Sequence, residues 1–213
     1  MSSLDFLIDG DGPDRTTVML AHGAGAAMDS PFMARMAELL AARGLRVARF
    51  EFAYMAQRRS GGPKRPPPKI DVLQEEYRAA INALECPGPL YIGGKSMGGR
   101  VASLIADELF SAGAISGLVC LGYPFHPTGK PEKLRTEHLA ALRTPTLICQ
   151  GTRDPFGTRE EVAGYGLSPA ITLHWLEDGD HDLKPRRRVS GLNHEDTLSS
   201  AAGTISDWIA GIG

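Results

Sequence analysis

Ser96 stands in Gly93-Gly94-Lys95-Ser96-Met97-Gly98-Gly99-Arg100, with a glycine two residues to either side. Before it, Pro89-Leu90-Tyr91-Ile92 reads as a short buried strand, and after it Val101, Leu104, Ile105 and Leu109 recur at helical spacing. Such a strand–turn–helix corner can hold a serine on a sharp turn with its Oγ pointing outward, provided that neighbouring side chains do not collide with strand or helix. The chemistry it suits is nucleophilic attack. The Met97 N–H would open the helix, where the positive end of the dipole can stabilise an oxyanion. In a chain with 25 glycines the Gly-x-Ser-x-Gly spacing alone is weak, and the flanking strand and helix give it specificity. The same residues fail as a phosphate-binding loop. That loop needs glycine at position 89, which is Pro89, and Gly88 is one position too early.

A serine alcohol is a poor nucleophile at neutral pH, so a base and a group that orients the base are required. His181 follows the last strand, in Glu177-Asp178-Gly179-Asp180-His181-Asp182, where a loop can fold back toward Ser96. His22 is assigned to structuring the loop after an early strand, and His126 lies toward the mouth without a clear place in a triad. His138, His174 and His194 read as helix or strand surface. The acid is best placed at Asp154, in Gln150-Gly151-Thr152-Arg153-Asp154-Pro155 at another strand end. Asp178, Asp180 and Asp182 are rivals by proximity, although an acid so near His181 needs a tight local loop to reach its ring. The order decides: Ser96, Asp154 and His181 each follow a separate strand. Metal-dependent hydrolysis through Asp180-His181-Asp182 lacks a further ligand cluster, so neither metal nor organic cofactor is expected.

The elements that must position these residues alternate along the chain. Strand patterns cover Thr16–Ala21, Leu45–Phe52, the run before Ser96, Gly117–Gly122, Pro145–Cys149 and Ile171–Leu176. Helical patterns begin at Ser30-Pro31, which supplies an N-cap and a first-turn proline, and carry Leu73, Tyr77, Ile81 and Leu84 further on. Asn193 with Asp196 can cap a terminal helix bearing Leu198, Ala202, Ile205 and Ile209. Continuous apolar runs fit parallel strands covered on both faces, so the pattern predicts an α/β, doubly wound, mostly parallel sheet with helices on both faces. Reactive groups gather at the strand ends of such sheets. Gln57–Lys69, with Pro66-Pro67-Pro68 and five cationic side chains, reads as a long extended loop.

At 213 residues the chain suits one domain, residues 1–213, large enough to fold without disulfides or metals. A net charge of −2 does not call for nucleic acid or an anionic membrane. Three cysteines without metal-type spacing suit free thiols in a reducing compartment. The start, Met1-Ser2-Ser3-Leu4-Asp5, lacks the basic and apolar regions of a signal peptide, and no run is long enough to span a bilayer, so a cytoplasmic location is expected.

His22-Gly23-Ala24-Gly25, Gly94-Lys95-Ser96-Met97-Gly98, Gly122-Tyr123-Pro124, Gly151-Thr152-Arg153-Asp154-Pro155 and Gly179-Asp180-His181-Asp182 together resemble the α/β-hydrolase superfamily. More narrowly, the chain is similar to small lidless bacterial serine hydrolases related to dienelactone hydrolases. It is also similar to the testis-expressed-thirty and NSL-complex-subunit-three proteins. The resemblance implies Ser96 as nucleophile, His181 as general base and then acid, and Asp154 as its orienter. It also implies an oxyanion hole from the N–H groups of Met97 and Ala24, with Gly25 a substitute for Ala24. The activity implied is hydrolysis of an ester, thioester or related acyl bond of a small molecule through an acyl-enzyme. The alternative is a weakly active or inactive scaffold that keeps the fold, since some members of this group act in protein complexes.

The segment between Gly122 and Pro145 has room for a loop and one short helix near Leu134–Leu142, so an open site without a cap domain is expected. Tyr54, Met55, Tyr123, Phe125 and Phe156 follow strand ends and are candidates for its apolar, substrate-binding wall. Arg58–Lys69 and Lys184-Pro185-Arg186-Arg187-Arg188 would form a cationic rim favouring anionic substrates or an acidic partner. No aromatic stacking pattern accompanies those charges, which argues against nucleic acid.

Overall fold

Five consecutive residues with no exposure, Thr17–Ala21, mark the centre of the molecule, since only a strand covered on both faces reads that way. A computed structural model describes residues 4–10, 15–59 and 61–212, so Met1–Ser3 of the expected N-terminus and Ser60 of the expected long loop lie outside the described residues. The strands are β1 (Phe6–Asp9), β2 (Thr17–Ala21), β3 (Arg46–Phe50), β4 (Leu90–Lys95), β5 (Gly117–Leu121), β6 (Thr146–Gly151) and β7 (Ile171–Leu176). The helices are α1 (Pro31–Ala41), α2 (Ala53–Arg59), α3 (Ile70–Ala83), α4 (Met97–Ser111), α5 (Arg159–Val162), α6 (Arg187–Ser190) and α7 (His194–Ile212).

The seven strands form one sheet in the order β1-β3-β2-β4-β5-β6-β7. All neighbours are parallel except the edge pair, where β1 runs antiparallel to β3 with Phe6 opposite Phe50. One face packs Leu73 and Tyr77 of α3 and Val101 and Ile105 of α4 against Met19, Ile92 and Ile148. The other packs Met33, Met36 and Leu40 of α1 and Leu198, Ala202 and Ile205 of α7 against Val18, Leu20 and Leu147. Each such fully buried side chain contributes roughly 1.5–3 kcal/mol of transfer free energy, which holds both helix layers to the sheet. Tyr77 also spends its hydroxyl inside the core, donating to the Gly93 carbonyl at 2.8 Å and accepting from the Gly93 N–H at 3.0 Å.

Several elements depart from the sequence expectations. The four-residue β1 is too short for a pattern to show, and it reads as a strand only through its pairing with β3. Helix α2 takes up the start of the segment expected to be an extended loop from Gln57. Met55 is buried there and Arg59 is tied to Glu51, which makes a helical turn worth forming. Ser30 occupies the N-cap of α1 without a side-chain cap bond, whereas Asn193 and Asp196 bond reciprocally at the start of α7. The helix expected near Leu134–Leu142 is a short 3₁₀ helix at Glu137–Ala141. The whole β5–β6 connection lies within residues 122–145, and no cap covers the site among the described residues. No described helix is long and apolar enough to cross a membrane.

Candidate active site

Ser96 terminates β4 with φ 51° and ψ −113°, a left-handed conformation that non-glycine residues rarely adopt. Such a backbone costs about 1–3 kcal/mol and persists only when its surroundings fix it. Here the Ser96 N–H donates to the Leu121 carbonyl at 2.9 Å, and its own carbonyl accepts from Arg100 at 3.0 Å as α4 begins. Gly98 is required by close approach. A Cβ there would lie 2.4 Å from the Ala21 carbonyl oxygen.

Loops after two other strands reach the same edge. The His181 ring, 22% exposed, lies between Ser96 and Asp154: Nε2 is 2.8 Å from the Ser96 Oγ and Nδ1 is 2.8 Å from Asp154 Oδ2. A carboxylate only accepts, so Nδ1 carries the proton and Nε2 is left to accept from the hydroxyl. Asp154 is fully buried, and its remaining capacity is filled by the Phe156 N–H on Oδ1 at 2.9 Å and Gln150 Nε2 on Oδ2 at 3.0 Å. Gln150 in turn accepts from the Tyr123 N–H and donates to the Tyr123 and Gly157 carbonyls, which stitches the ends of β5 and β6 together. The sequence offered one sign of it: a polar residue closing an otherwise apolar strand. The rival acids go elsewhere, with Asp178 bonded to Arg186 and Asp180 accepting from the N–H groups of Asp182 and Lys184.

The loop after β2 lies over the serine. A Cβ built on Gly23 would fall 3.8 Å from the Ser96 Cβ. Buried His22 accepts from the Phe52 N–H through Nε2 at 3.2 Å, so its Nδ1 donates to the Gly23 carbonyl at 2.7 Å. That carbonyl shares a peptide plane with the Ala24 N–H and lies opposite it, so His22 fixes the direction of this donor. Burial lowers the His22 pKa, consistent with a neutral ring in this role. Tyr54 holds the next peptide by donating to the Ala24 carbonyl at 3.0 Å. Among the described residues, neither the Met97 nor the Ala24 N–H has a protein acceptor.

One sequence model, described as an alpha/beta hydrolase domain, matches residues 14–210. The chain belongs to the α/β-hydrolase family. A carboxymethylenebutenolidase from Pseudomonas sp. (strain P51) is 31% identical over 98 residues, which are 44% of this chain and 37% of that relative's length. Among solved structures, Est1E from Butyrivibrio proteoclasticus with ferulic acid bound superposes with a TM-score of 0.70 at 15% identity, covering 97% of this chain and 96% of that one. A lidless serine hydrolase from Xanthomonas campestris gives 0.65 at 19% identity, covering 97% and 88%. Dienelactone hydrolase from Anabaena variabilis gives 0.68 at 21% identity, covering 97% and 91%. At these identities the superpositions establish a shared fold.

In this α/β hydrolase, three members of the expected apolar wall lie elsewhere. Tyr123 and Phe125 have no exposure, and Met55 is also buried. The turn after β5 folds inward, so the Tyr123 and Phe125 rings pack 4.9 Å apart and Phe125 meets Tyr165. Two large rings gain more from complete burial than from lining a shallow rim. Tyr54 and Phe156 remain partly exposed at the edge, and the Phe156 ring lies 4.3 Å from the His181 ring. The cationic rim is also reduced: Arg59 pairs with Glu51 and Asp29, and Arg186 pairs with Asp178. No group of three or more His, Cys, Asp or Glu side chains could hold a metal among the described residues.

His138, expected at the surface, is instead partly buried with Nε2 2.8 Å from the Ser103 Oγ and 3.3 Å from the Tyr123 hydroxyl. Ser103 is itself a buried residue of α4, so this pair is structural. Burial, with Arg100 nearby, pulls the His138 pKa from 6.5 down to about 4. Between those values the unfolded chain binds a proton that the native state refuses, so stability is full above pH 6.5 and falls as pH drops toward 4. The melting temperature is expected to decline across that window, less steeply in His138→Gln. Scanning calorimetry at a series of pH values checks both slopes, and equal slopes would exclude His138 as the source.

Proposed function

We propose that the chain hydrolyses an ester, thioester or related acyl bond of a small molecule, with Ser96 as nucleophile, His181 as base and acid, and Asp154 orienting His181. The observation that carries this reading is the continuous Ser96–His181–Asp154 hydrogen-bond chain, 2.8 Å at each link, built from three separate strand ends. As Oγ attacks the acyl carbon, its proton passes to His181 Nε2. The oxyanion that forms faces the Met97 and Ala24 N–H groups, the first at the head of α4 and the second aimed by His22. Collapse expels the leaving group, which takes the proton back from Nε2 and leaves an acyl-Ser96. Water then repeats the sequence, with His181 as its base, and releases the acid.

Tyr54 and Phe156, partly exposed aromatics at this edge, are the residues proposed to touch the acyl or leaving group. Exposed Arg58, Lys64 and Arg65 allow a preference for anionic substrates, without Arg59 and Arg186, which are engaged internally. The relative's name, carboxymethylenebutenolidase, puts lactones among the compounds to test. A fluorophosphonate probe supplies the first experiment. The wild-type chain is expected to gain the phosphonyl mass on the peptide containing Ser96, and Ser96→Ala is expected to gain none. A wild-type chain that stays unlabelled would point to a scaffold that keeps the fold without the activity. Chromogenic esters, thioesters, lactones and short peptides then sort the substrate class.

A further inference from the structure

Lys95 directly precedes the proposed nucleophile, and the reaction above uses no lysine. Its side chain is nevertheless 9% exposed, an expensive place for an ammonium unless its partners repay the loss of water. Burial lowers its pKa, and Asp182, Asp154 and Asp180 oppose that shift. Nζ lies 5.4 Å from the centre of the Phe32 ring of α1. It donates to the His181 carbonyl at 2.6 Å and sits 3.3 Å from Asp182 Oδ1. The Asp182 side chain is 65% exposed, so the desolvated contact is the one to the carbonyl. Hydrogen bonds from an ammonium in such surroundings are about twice as strong as neutral ones.

The neighbouring strand end is cleared for this contact. Gly122 has φ +63°, and a Cβ there would lie 2.7 Å from the His181 carbonyl oxygen and 3.1 Å from Lys95 Nζ. Asp154 fixes the ring of His181 through Nδ1, and the loop is held on either side of it by the Arg153 N–H on the Gly179 carbonyl, the Asp182 N–H on Asp180 and His194 on the Asp182 carbonyl. Lys95 adds a bond from the His181 carbonyl itself to the strand end that carries Ser96.

We propose that Lys95 is a positioning residue: its ammonium, seated on the His181 carbonyl, ties the loop of the base to the strand that carries the nucleophile. This rests on the roles given to Ser96 and His181 above. The charged groups around His181 are Asp154 from the end of β6, Lys95 from β4, and Asp180 and Asp182 from its own loop. Arg153 lies 3.9 Å from Asp180, and His194 of α7 is bonded to the Asp182 carbonyl.

Lys95→Met keeps an unbranched apolar stem as far as the fourth side-chain atom and removes the ammonium with its charge and donors. With p-nitrophenyl acetate as probe, kcat is expected to fall about 30- to 100-fold, as small misplacements of catalytic groups do, while KM changes less than about twofold. Loss of a cation beside the imidazole is expected to move the acid limb of the pH–kcat/KM profile upward by about half a pH unit or more. A folded Lys95→Met with kcat within about threefold of wild type, or a lower kcat with an unmoved acid limb, overturns the proposal. Should this variant fail to fold, wild-type protein carrying ¹⁵N-lysine decides. Phosphonylation of Ser96 by the fluorophosphonate is expected to shift a slowly exchanging Lys95 ammonium signal, and a freely exchanging signal that does not respond counts against the tie. Ser96→Ala, assayed alongside, separates the two readings. Activity retained there removes the nucleophile itself, whereas activity lost there with Lys95→Met unaffected removes only the role of the lysine.

Discussion

Replacing His181 by glutamine is expected to lower kcat for p-nitrophenyl acetate by about 10⁴- to 10⁶-fold with little change in KM, because members of such a group act as one unit. A glutamine amide can accept a hydrogen bond from the Ser96 hydroxyl, but it cannot hold the proton while Oγ attacks the acyl carbon. It also cannot return that proton to the leaving group, so both half-reactions stall. Fluorophosphonate labelling of Ser96 is expected to slow in parallel, since the probe requires the same activated oxygen. The fold should survive. His181 is partly exposed, and Asp154 keeps the Gln150 and Phe156 donors when the imidazole leaves. The stability cost is that of one buried acceptor losing one of three donors, about 1–3 kcal/mol. Steady-state kinetics, probe labelling and a thermal melt on the same preparation check all three statements. A folded His181→Gln variant within about tenfold of wild-type kcat would exclude this histidine as the base.

How much of this site could be read from the chain depends on whether the signal is local. Ser96, Asp154 and His181 each stand where an apolar run stops at glycine-rich turn residues, so their place at strand ends follows from a few neighbours. The same holds for the parallel core strands, whose unbroken apolar runs need no partner to be recognised. Lys95 and Gln150 show only a polar residue at the end of an apolar run. What makes them tolerable there includes backbone groups remote in sequence, the His181 carbonyl for Lys95 and the Tyr123 N–H and carbonyl for Gln150. Tyr123 and Phe125 show the reverse error. Aromatics after a strand end can line a mouth or fold inward, and the choice is made by the space left among Ser103, His138 and Tyr165. Strand β1 exists only through its pairing with β3, an arrangement no window of adjacent residues contains.

That remote scaffolding makes Asp154→Asn the most discriminating replacement of the acid. Asparagine matches aspartate in shape but exchanges one acceptor oxygen for an NH₂ donor. If its oxygen keeps the Phe156 N–H, the NH₂ takes the Oδ2 position, facing His181 Nδ1 and the Gln150 amide donor together. His181 must then accept at Nδ1, which moves its proton to Nε2 and leaves the Ser96 hydroxyl without a base. If the amide turns the other way, its NH₂ confronts the Phe156 N–H, and a buried donor pair is left unsatisfied at a cost of about 1–3 kcal/mol. The first orientation conflicts only with the amide of Gln150, which can rotate at the expense of its bonds to Tyr123 and Gly157. The tautomer switch therefore prevails, and kcat is expected to fall about 10³- to 10⁴-fold while the chain stays folded. Lost activity should return in part as pH rises, because deprotonating Ser96 or the attacking water no longer depends on Nε2. The pH–rate profile measures that recovery. Adding Gln150→Leu to Asp154→Asn removes the donor conflict without restoring the acceptor, and it also takes the side-chain partner from the Tyr123 N–H and from the Tyr123 and Gly157 carbonyls. The pair should therefore lose melting temperature and regain no kcat. If kcat returned in the pair, the donor conflict around the acid would have been at fault, not the proton on the histidine.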